Sequence, residues 1–350
     1  MTQQQELLTS TRLATSRRCP RKHYYRYELG LSRIRTSDPL RMGAAFHRGL
    51  ELRNKGANRG KAIEEALIGY GNIPEWAEPY DWQVEYETVR ALLAGYFWRY
   101  ENDDVKIIAS EQMFKMPLTN PETGHPSRTF MLAGKVDGIA ELSDGRIVVL
   151  EYKTAGEDIG PDSDYWLRLR CDLQLSQYVL GARSLGYDVN TVLYNVTRKP
   201  TIAPLRATPP EKRKYTKAGT LYAKQRERDE IPADFGDRLL EDMGKRPDFY
   251  FQRRMVPRLE DELADFQLEL WQQAKQLIEA RRHGRWYRNV GRFTCDYCEF
   301  ADLCLQGVKV EGDTPPSGFE FLNNVHPELG EENDISTNEA DSDCATSATD

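Results

Sequence analysis

The chain has 350 residues, 29% of them charged and 39% hydrophobic, with a formal net charge of −7. This is the balance of a soluble globular protein of one large or two ordinary domains. No apolar run approaches the roughly 20 residues of a membrane-spanning helix, and MTQQQELLTSTRLATSRRCP lacks the apolar stretch and small-residue cleavage site of a secretory signal.

A cytoplasmic, reducing location with no membrane partner is therefore expected, and there clustered cysteines point to metal rather than to disulfides. The charge is uneven. Residues 311–350 hold eleven Asp or Glu and no Lys or Arg, which leaves 48 basic against 44 acidic residues in the rest. The segment lacks hydrophobic periodicity and is expected to be an acidic, disordered tail. A mildly basic body is compatible with a nucleic-acid partner.

In chain order, residues 1–84 read as a helical N-terminal part. DPLRMGAAFHRGLELRNKG has Pro39 near its start, Met42, Phe46, Leu50 and Leu52 on one approximate face, and Gly56 at its end. KAIEEALIGYG and WQVEYETVRALLAGYFWRYEND are further helices. The pattern then changes to strands: DVKIIASEQMFKMPL, followed by RTFMLAGKVDGIAELSDGRIVVLEYKTA, two strands joined at Ser143-Asp144-Gly145. DYWLRLRCDLQLSQYVLGARSLG reads as one helix with Cys171 on its apolar face, and VNTVLYNVTRK as another strand. Together these predict an α/β core with a mixed sheet over about 85–200. Residues 200–310 form an extension with a strand in DFYFQRRMVPR and a long amphipathic helix ending at Gly284. The basic and aromatic stretches around Tyr24–Tyr27 and Tyr215–Tyr222 are candidate phosphate-contact and base-stacking surfaces.

Asp137 lies on the first strand of the central hairpin and Glu151 at the end of the second. Residues two apart on a strand share a face, so Glu151 and Lys153 project together, with Tyr152 opposite. Two close carboxylates repel unless a cation sits between them, and hard oxygen ligands suit Mg2+ or Mn2+. An adjacent lysine can orient water or stabilise charge building on a phosphate, which points to metal-assisted phosphodiester hydrolysis.

GKVDG followed by LEYKT resembles the core of the PD-(D/E)XK nucleases, which have a restriction-endonuclease-like fold. GAAFH, ending at His47, and QLSQY, from Gln174 to Tyr178, resemble the motifs that flank that core in the RecB-like branch. The resemblance implies that His47, Asp137, Glu151 and the Tyr152 carbonyl hold the metal. It makes Lys153 the catalytic lysine and places Gln174 and Tyr178 in the site or on the DNA strand. Glu51 is a candidate outer partner, and Glu111 a further acidic candidate.

CDYCEFADLC sets Cys295, Cys298 and Cys304 at C-x2-C-x5-C. Such thiolates suit an iron–sulfur cluster or tetrahedral zinc. RecB/AddB-type and CRISPR-associated nucleases of the same branch carry one cysteine before the core and three after it. On that resemblance Cys19 is the fourth ligand of a [4Fe–4S] cluster clasping the two ends of one domain, residues 1–310. The expected activity is a Mg2+- or Mn2+-dependent DNA exonuclease acting on ends or single strands in recombination, repair or phage DNA processing. A CRISPR-associated end-trimming enzyme and a non-catalytic DNA-binding scaffold are the alternatives. No ATP-binding P-loop is present, so a helicase, recombination or CRISPR partner would be a separate protein.

Overall fold

The computed structural model describes residues 5–35 and 37–330. Eight strands are present among them: β1 (Glu6–Leu8), β2 (Leu31–Arg33), β3 (Lys106–Thr119), β4 (Pro126–Glu141), β5 (Ile147–Ala155), β6 (Thr191–Arg198), β7 (Phe251–Pro257) and β8 (Phe319–Phe321). Six of them form one mixed sheet in the order β1-β4-β5-β6-β7, with β3 also on β4. β5 and β6 are parallel and buried on both faces, which suits their continuous apolar sequence.

Helices cover both faces. On one, the helices Asp38–Asn54, Pro79–Arg99 and Pro232–Lys245 build a core that includes Phe46, Leu92, Phe97, Phe235 and the Tyr152 ring. On the other, the helices Leu173–Ser184 and Glu260–His283 pack on Phe114, Val136, Val149, Leu8 and Phe130. The mixed sheet flanked by helices is the architecture the sequence predicts.

The pairing of β4 positions the site. β3 pairs with β4 along most of its length, from Pro126 to Glu141. β1, at Phe130–Leu132, and β5, at Gly138–Glu141, must therefore share the opposite edge of β4. Between them, residues 133–137 of that edge have no strand partner among the described residues. The buried Gln177 bridges the gap: its Nε2 donates to the carbonyls of Leu8 at 3.1 Å and Ala133 at 2.9 Å. Asp137 lies at the mouth of this gap, next to the first β4–β5 pair at Gly138.

Four expectations are corrected. The segment from Asp164 is two helices rather than one. It breaks at Asp172, whose carboxylate caps the helix Leu173–Ser184 by accepting from the amides of Gln174 and Leu175. Arg258, almost fully buried, holds the break by donating to the carbonyls of Leu169 and Asp172 and to Ser176 Oγ. Cys171 consequently lies in the turn before that helix and is exposed, not buried on its apolar face. Tyr25 and Tyr27 are buried and cannot offer base-stacking faces, whereas Tyr215 and Tyr222 are about half exposed.

The fourth correction concerns the boundary of disorder at 311, which falls too early. β8 pairs antiparallel with β2, and Phe319 stacks on Phe300 with ring centroids 5.7 Å apart. Glu328 accepts from Thr9 Oγ1 at 2.7 Å. The rest of the expected tail, 331–350, lies outside the described residues.

Candidate active site

Asp137, Glu151 and Lys153 meet at the mouth of the β4 gap. Asp137 Oδ2 accepts from the Tyr152 amide at 2.8 Å, and its Oδ1 is 3.5 Å from His47 Nδ1. The helix Asp38–Asn54 brings His47 here. Glu151 is 1% exposed. Lys153 Nζ forms an ion pair with Glu151 Oε1, and among the described residues no other donor reaches the Glu151 carboxylate. A buried carboxylate with one partner and a second carboxylate beside it is costly, and a bound cation would lower that cost.

The electrostatics divide the two carboxylates. Burial pushes Glu151 up to about 7, against the pull of Lys153, and the neighbouring Asp137 charge adds to the rise. Asp137 is also pushed up by burial. His47, Lys153 and the Tyr152 amide outweigh this and hold it below the usual range. Burial pushes His47 down, but Asp137 more than offsets it, so the imidazole is raised. Lys153 is likewise raised by Glu151 and Asp137 against its burial.

Gln174 Nε2 donates to Tyr178 OH at 2.8 Å, one helical turn apart. Burial raises Tyr178 well above its ordinary value, and the Glu151, Asp137 and Glu111 carboxylates raise it further. The site thus brings together His47, Asp137, Glu151, Tyr152, Lys153, Gln174 and Tyr178. Glu51 is held on the surface of its own helix by Arg48 and Lys55. Glu111, at positive φ of 55°, pairs with Lys135 at 2.6 Å.

Several supporting residues were not found from sequence. Asn195 on β6 donates to the Glu151 carbonyl at 3.4 Å and to the Leu193 carbonyl at 3.0 Å, and Arg253 Nε donates to its Oδ1. Gly134 lets Phe114 and Tyr178 pack directly on β4, since a Cβ there would stand 2.7 Å from the Phe114 ring and 3.3 Å from Tyr178. Only the glycine of GKVDG offered a signal in the sequence; a buried Asn on an apolar strand offers little.

Cys19, Cys295, Cys298 and Cys304 are free thiols that line one small cavity. The two chain ends meet around it: the Arg21 amide donates to the Tyr287 carbonyl, the Asn289 amide to Cys19 Sγ at 3.5 Å, and Arg33 Nε to the Glu299 carbonyl. Four thiols around one cavity fit a thiolate-held metal centre. Among the described residues, however, no three His, Cys, Asp or Glu side chains are drawn together into a complete metal cage, here or at Asp137 and Glu151. A cavity of about 760 Å3 lies between Ser16–Pro20 and residues 272–287 and contains none of the candidate site residues.

A family model of the PD-(D/E)XK nuclease superfamily matches residues 8–305. The chain belongs to that superfamily, a class of hydrolytic nucleases. A search of curated proteins finds no match. Among solved structures, the chain is similar to a candidate exonuclease from Eubacterium rectale, with 10% identity, TM-score 0.44, and 89% of this chain and 91% of that one covered. It is also similar to SSO0001, with 13% identity, TM-score 0.35, and 88% and 90% covered. No helix of the described residues is long and apolar enough to cross a membrane.

Proposed function

We propose that the protein is a Mg2+- or Mn2+-dependent DNA exonuclease of the RecB-like type, acting at DNA ends or on single strands. The observation that carries this reading is the buried Glu151 carboxylate. Among the described residues Lys153 is its one ion-pair partner, and the carboxylate stands beside Asp137 and His47 at a gap in the sheet edge. His47 Nδ1, the Asp137 and Glu151 carboxylates and the Tyr152 carbonyl would hold the divalent ion. Bound there, the ion would supply Lewis-acid stabilisation of the phosphate and lower the pKa of a water nucleophile.

The chain's own residues do the rest. The Tyr152 amide fixes one Asp137 oxygen and leaves the other beside His47 Nδ1. The Lys153 ammonium, kept protonated by the two carboxylates, donates to a non-bridging phosphate oxygen and stabilises the charge that builds there. Tyr178, oriented by Gln174, keeps its proton and can donate to the same group. Asn195 and Arg253 keep the Glu151 backbone in place from beneath.

The four cysteines around one cavity support a second part of the proposal, a [4Fe–4S] cluster whose role is to tie residue 19 to 295–304. The nuclease reading is tested by digesting end-labelled single- and double-stranded DNA with Mg2+ or Mn2+. Wild type should shorten the label progressively, and Lys153→Ala should lose at least about a hundredfold in rate, the scale of a lost transition-state donor. Equal rates for the two proteins would remove Lys153 from the chemistry.

A further inference from the structure

Glu111 stands in β3 at a positive φ of 55°, a conformation that strains an L residue. The ladder on either side of it is regular: Ser110 pairs with Gly138 and Gln112 with Val136. That register sets Glu111 across from Asp137, yet the step between these two is missing from the ladder among the described residues. The strained residue thus lies opposite a candidate metal ligand.

Lys135 precedes Asp137 by two residues on β4. Their side chains therefore leave the strand on one face, roughly 7 Å apart along it. Glu111 is the diagonal cross-strand neighbour of Lys135. Its Oε2 meets Lys135 Nζ at 2.6 Å, and among the described residues neither has another ion-pair partner. Burial raises the Glu111 carboxyl, Lys135 pulls it back, and the Asp137 and Glu51 charges raise it further. Glu111 is therefore close enough to Asp137 to be repelled by it, and its contact is with the lysine.

Lysine is a compact cation on a flexible stem, and it pairs with whichever carboxylate it can reach. Lys135 has two such carboxylates on its own face, Glu111 and Asp137. An ammonium on Asp137 would cancel the charge that a divalent ion needs there. Asp137 is instead left to the Tyr152 amide and to His47. A glycine would take the φ of residue 111 without strain, so the strain of a glutamate is offset by what its carboxylate does.

We propose that Glu111 is a positioning residue for the metal site: it holds the Lys135 ammonium away from Asp137 and so keeps that carboxylate open to a divalent ion. The inference rests on the reading of Asp137 as a ligand of such an ion. The test is Mn2+ binding to the full chain without DNA, followed by electron paramagnetic resonance of the free ion. Asp137→Ala defines the part of the binding that belongs to this site. Glu111→Gln should weaken that part by about tenfold, the scale of one misplaced unit charge beside a partly solvated site. Removing the lysine as well, in the double variant Glu111→Gln with Lys135→Ala, should restore the affinity to within about twofold of wild type. Lys135→Ala alone should weaken nothing. Glu111→Gly, which relieves the backbone but lacks the carboxylate, should bind as poorly as Glu111→Gln.

The double variant guards against a fold defect, because a recovered affinity requires a folded site. Wild-type affinity in Glu111→Gln would overturn the proposal. So would a double variant as weak as Glu111→Gln, since Glu111 would then act on the ion itself and not through Lys135. Equal Mn2+ binding by wild type and Asp137→Ala is a different failure: it removes the metal reading, and the inference with it.

Discussion

Glu151 is a residue kept at a cost. Its carboxylate is buried, is raised by that burial in spite of Lys153, its ion-pair partner, and faces a second carboxylate. Replacing it by glutamine removes a buried charge while preserving shape. We therefore expect Glu151→Gln to raise the melting temperature of metal-free protein by a few degrees while abolishing cleavage, the trade expected where a site is strained for function. Differential scanning fluorimetry beside a digestion assay checks both. A lowered melting temperature would mean that Glu151 is structural.

Gly134 is the complementary case, where space matters instead of charge. Gly134→Ala would drive a methyl into Phe114 and Tyr178, and we expect a loss of about 1–3 kcal/mol on denaturant unfolding, in the range of overpacked cores. The carboxylates and the lysine could be read from the sequence because their spacing on strands is strict. Asn195 could not, because its partners, the Glu151 and Leu193 carbonyls, are defined only once β5 and β6 pair.

At the scale of elements, the long strands and the two helices that carry His47 and Tyr178 follow from periodicity. The short strands β1, β2 and β8 do not. Each has three residues, too few to show alternation, and each exists because a distant strand accepts it. The break at Asp172 was hidden because apolar residues continue across it; the helix stops there through capping and through Arg258.

Another long-range device closes the 205–230 loop. Glu230 receives Arg238 through two bonds, of 2.8 and 2.7 Å, and accepts from the Leu205 amide at 2.8 Å. The hydrogen bonds from Arg238 hold its carboxyl below the ordinary value of 4.5, against its burial, and the Leu205 amide adds to the effect. A carboxyl with a depressed folded pKa contributes stability that is fully present above its unfolded pKa and is lost as pH falls through the folded one. Glu230→Gln should therefore unfold at lower denaturant than wild type at pH 7, and the gap should shrink below pH 4.5 as the wild-type carboxylate protonates. A gap that does not change with pH would show that the charge of Glu230 is immaterial.

Over the whole molecule, the two chain ends are fastened together. Arg281 forks onto Glu6 and Glu28, Lys22 pairs with Glu299, and β2 pairs with β8. A chain ending at Val310 should melt several degrees below one ending at Gly330, because it forfeits β8 and the burial of Phe319 and Leu329. If the proposed cluster is held at this seam, anaerobically purified protein should contain about four iron and four sulfide per chain, and Cys19→Ala should lose most of the iron. Zinc in place of iron would replace the cluster and leave the nuclease reading standing. The three close cysteines were legible through their spacing. The fourth was legible only by resemblance, since nothing in the long stretch between Cys19 and Cys295 relates them until the fold brings the two ends together.

In the proposed reading, Asp137 and Glu151 would hold a divalent ion that supplies Lewis-acid stabilisation for phosphodiester cleavage. The most direct measurement is the rate of cleavage of end-labelled single-stranded DNA, with and without Mn2+, by wild type and by Asp137→Ala at matched DNA occupancy. Wild type should cleave only when Mn2+ is present, and the variant should lose at least about a hundredfold. Metal-independent cleavage, or cleavage by Asp137→Ala at the wild-type rate, would contradict it.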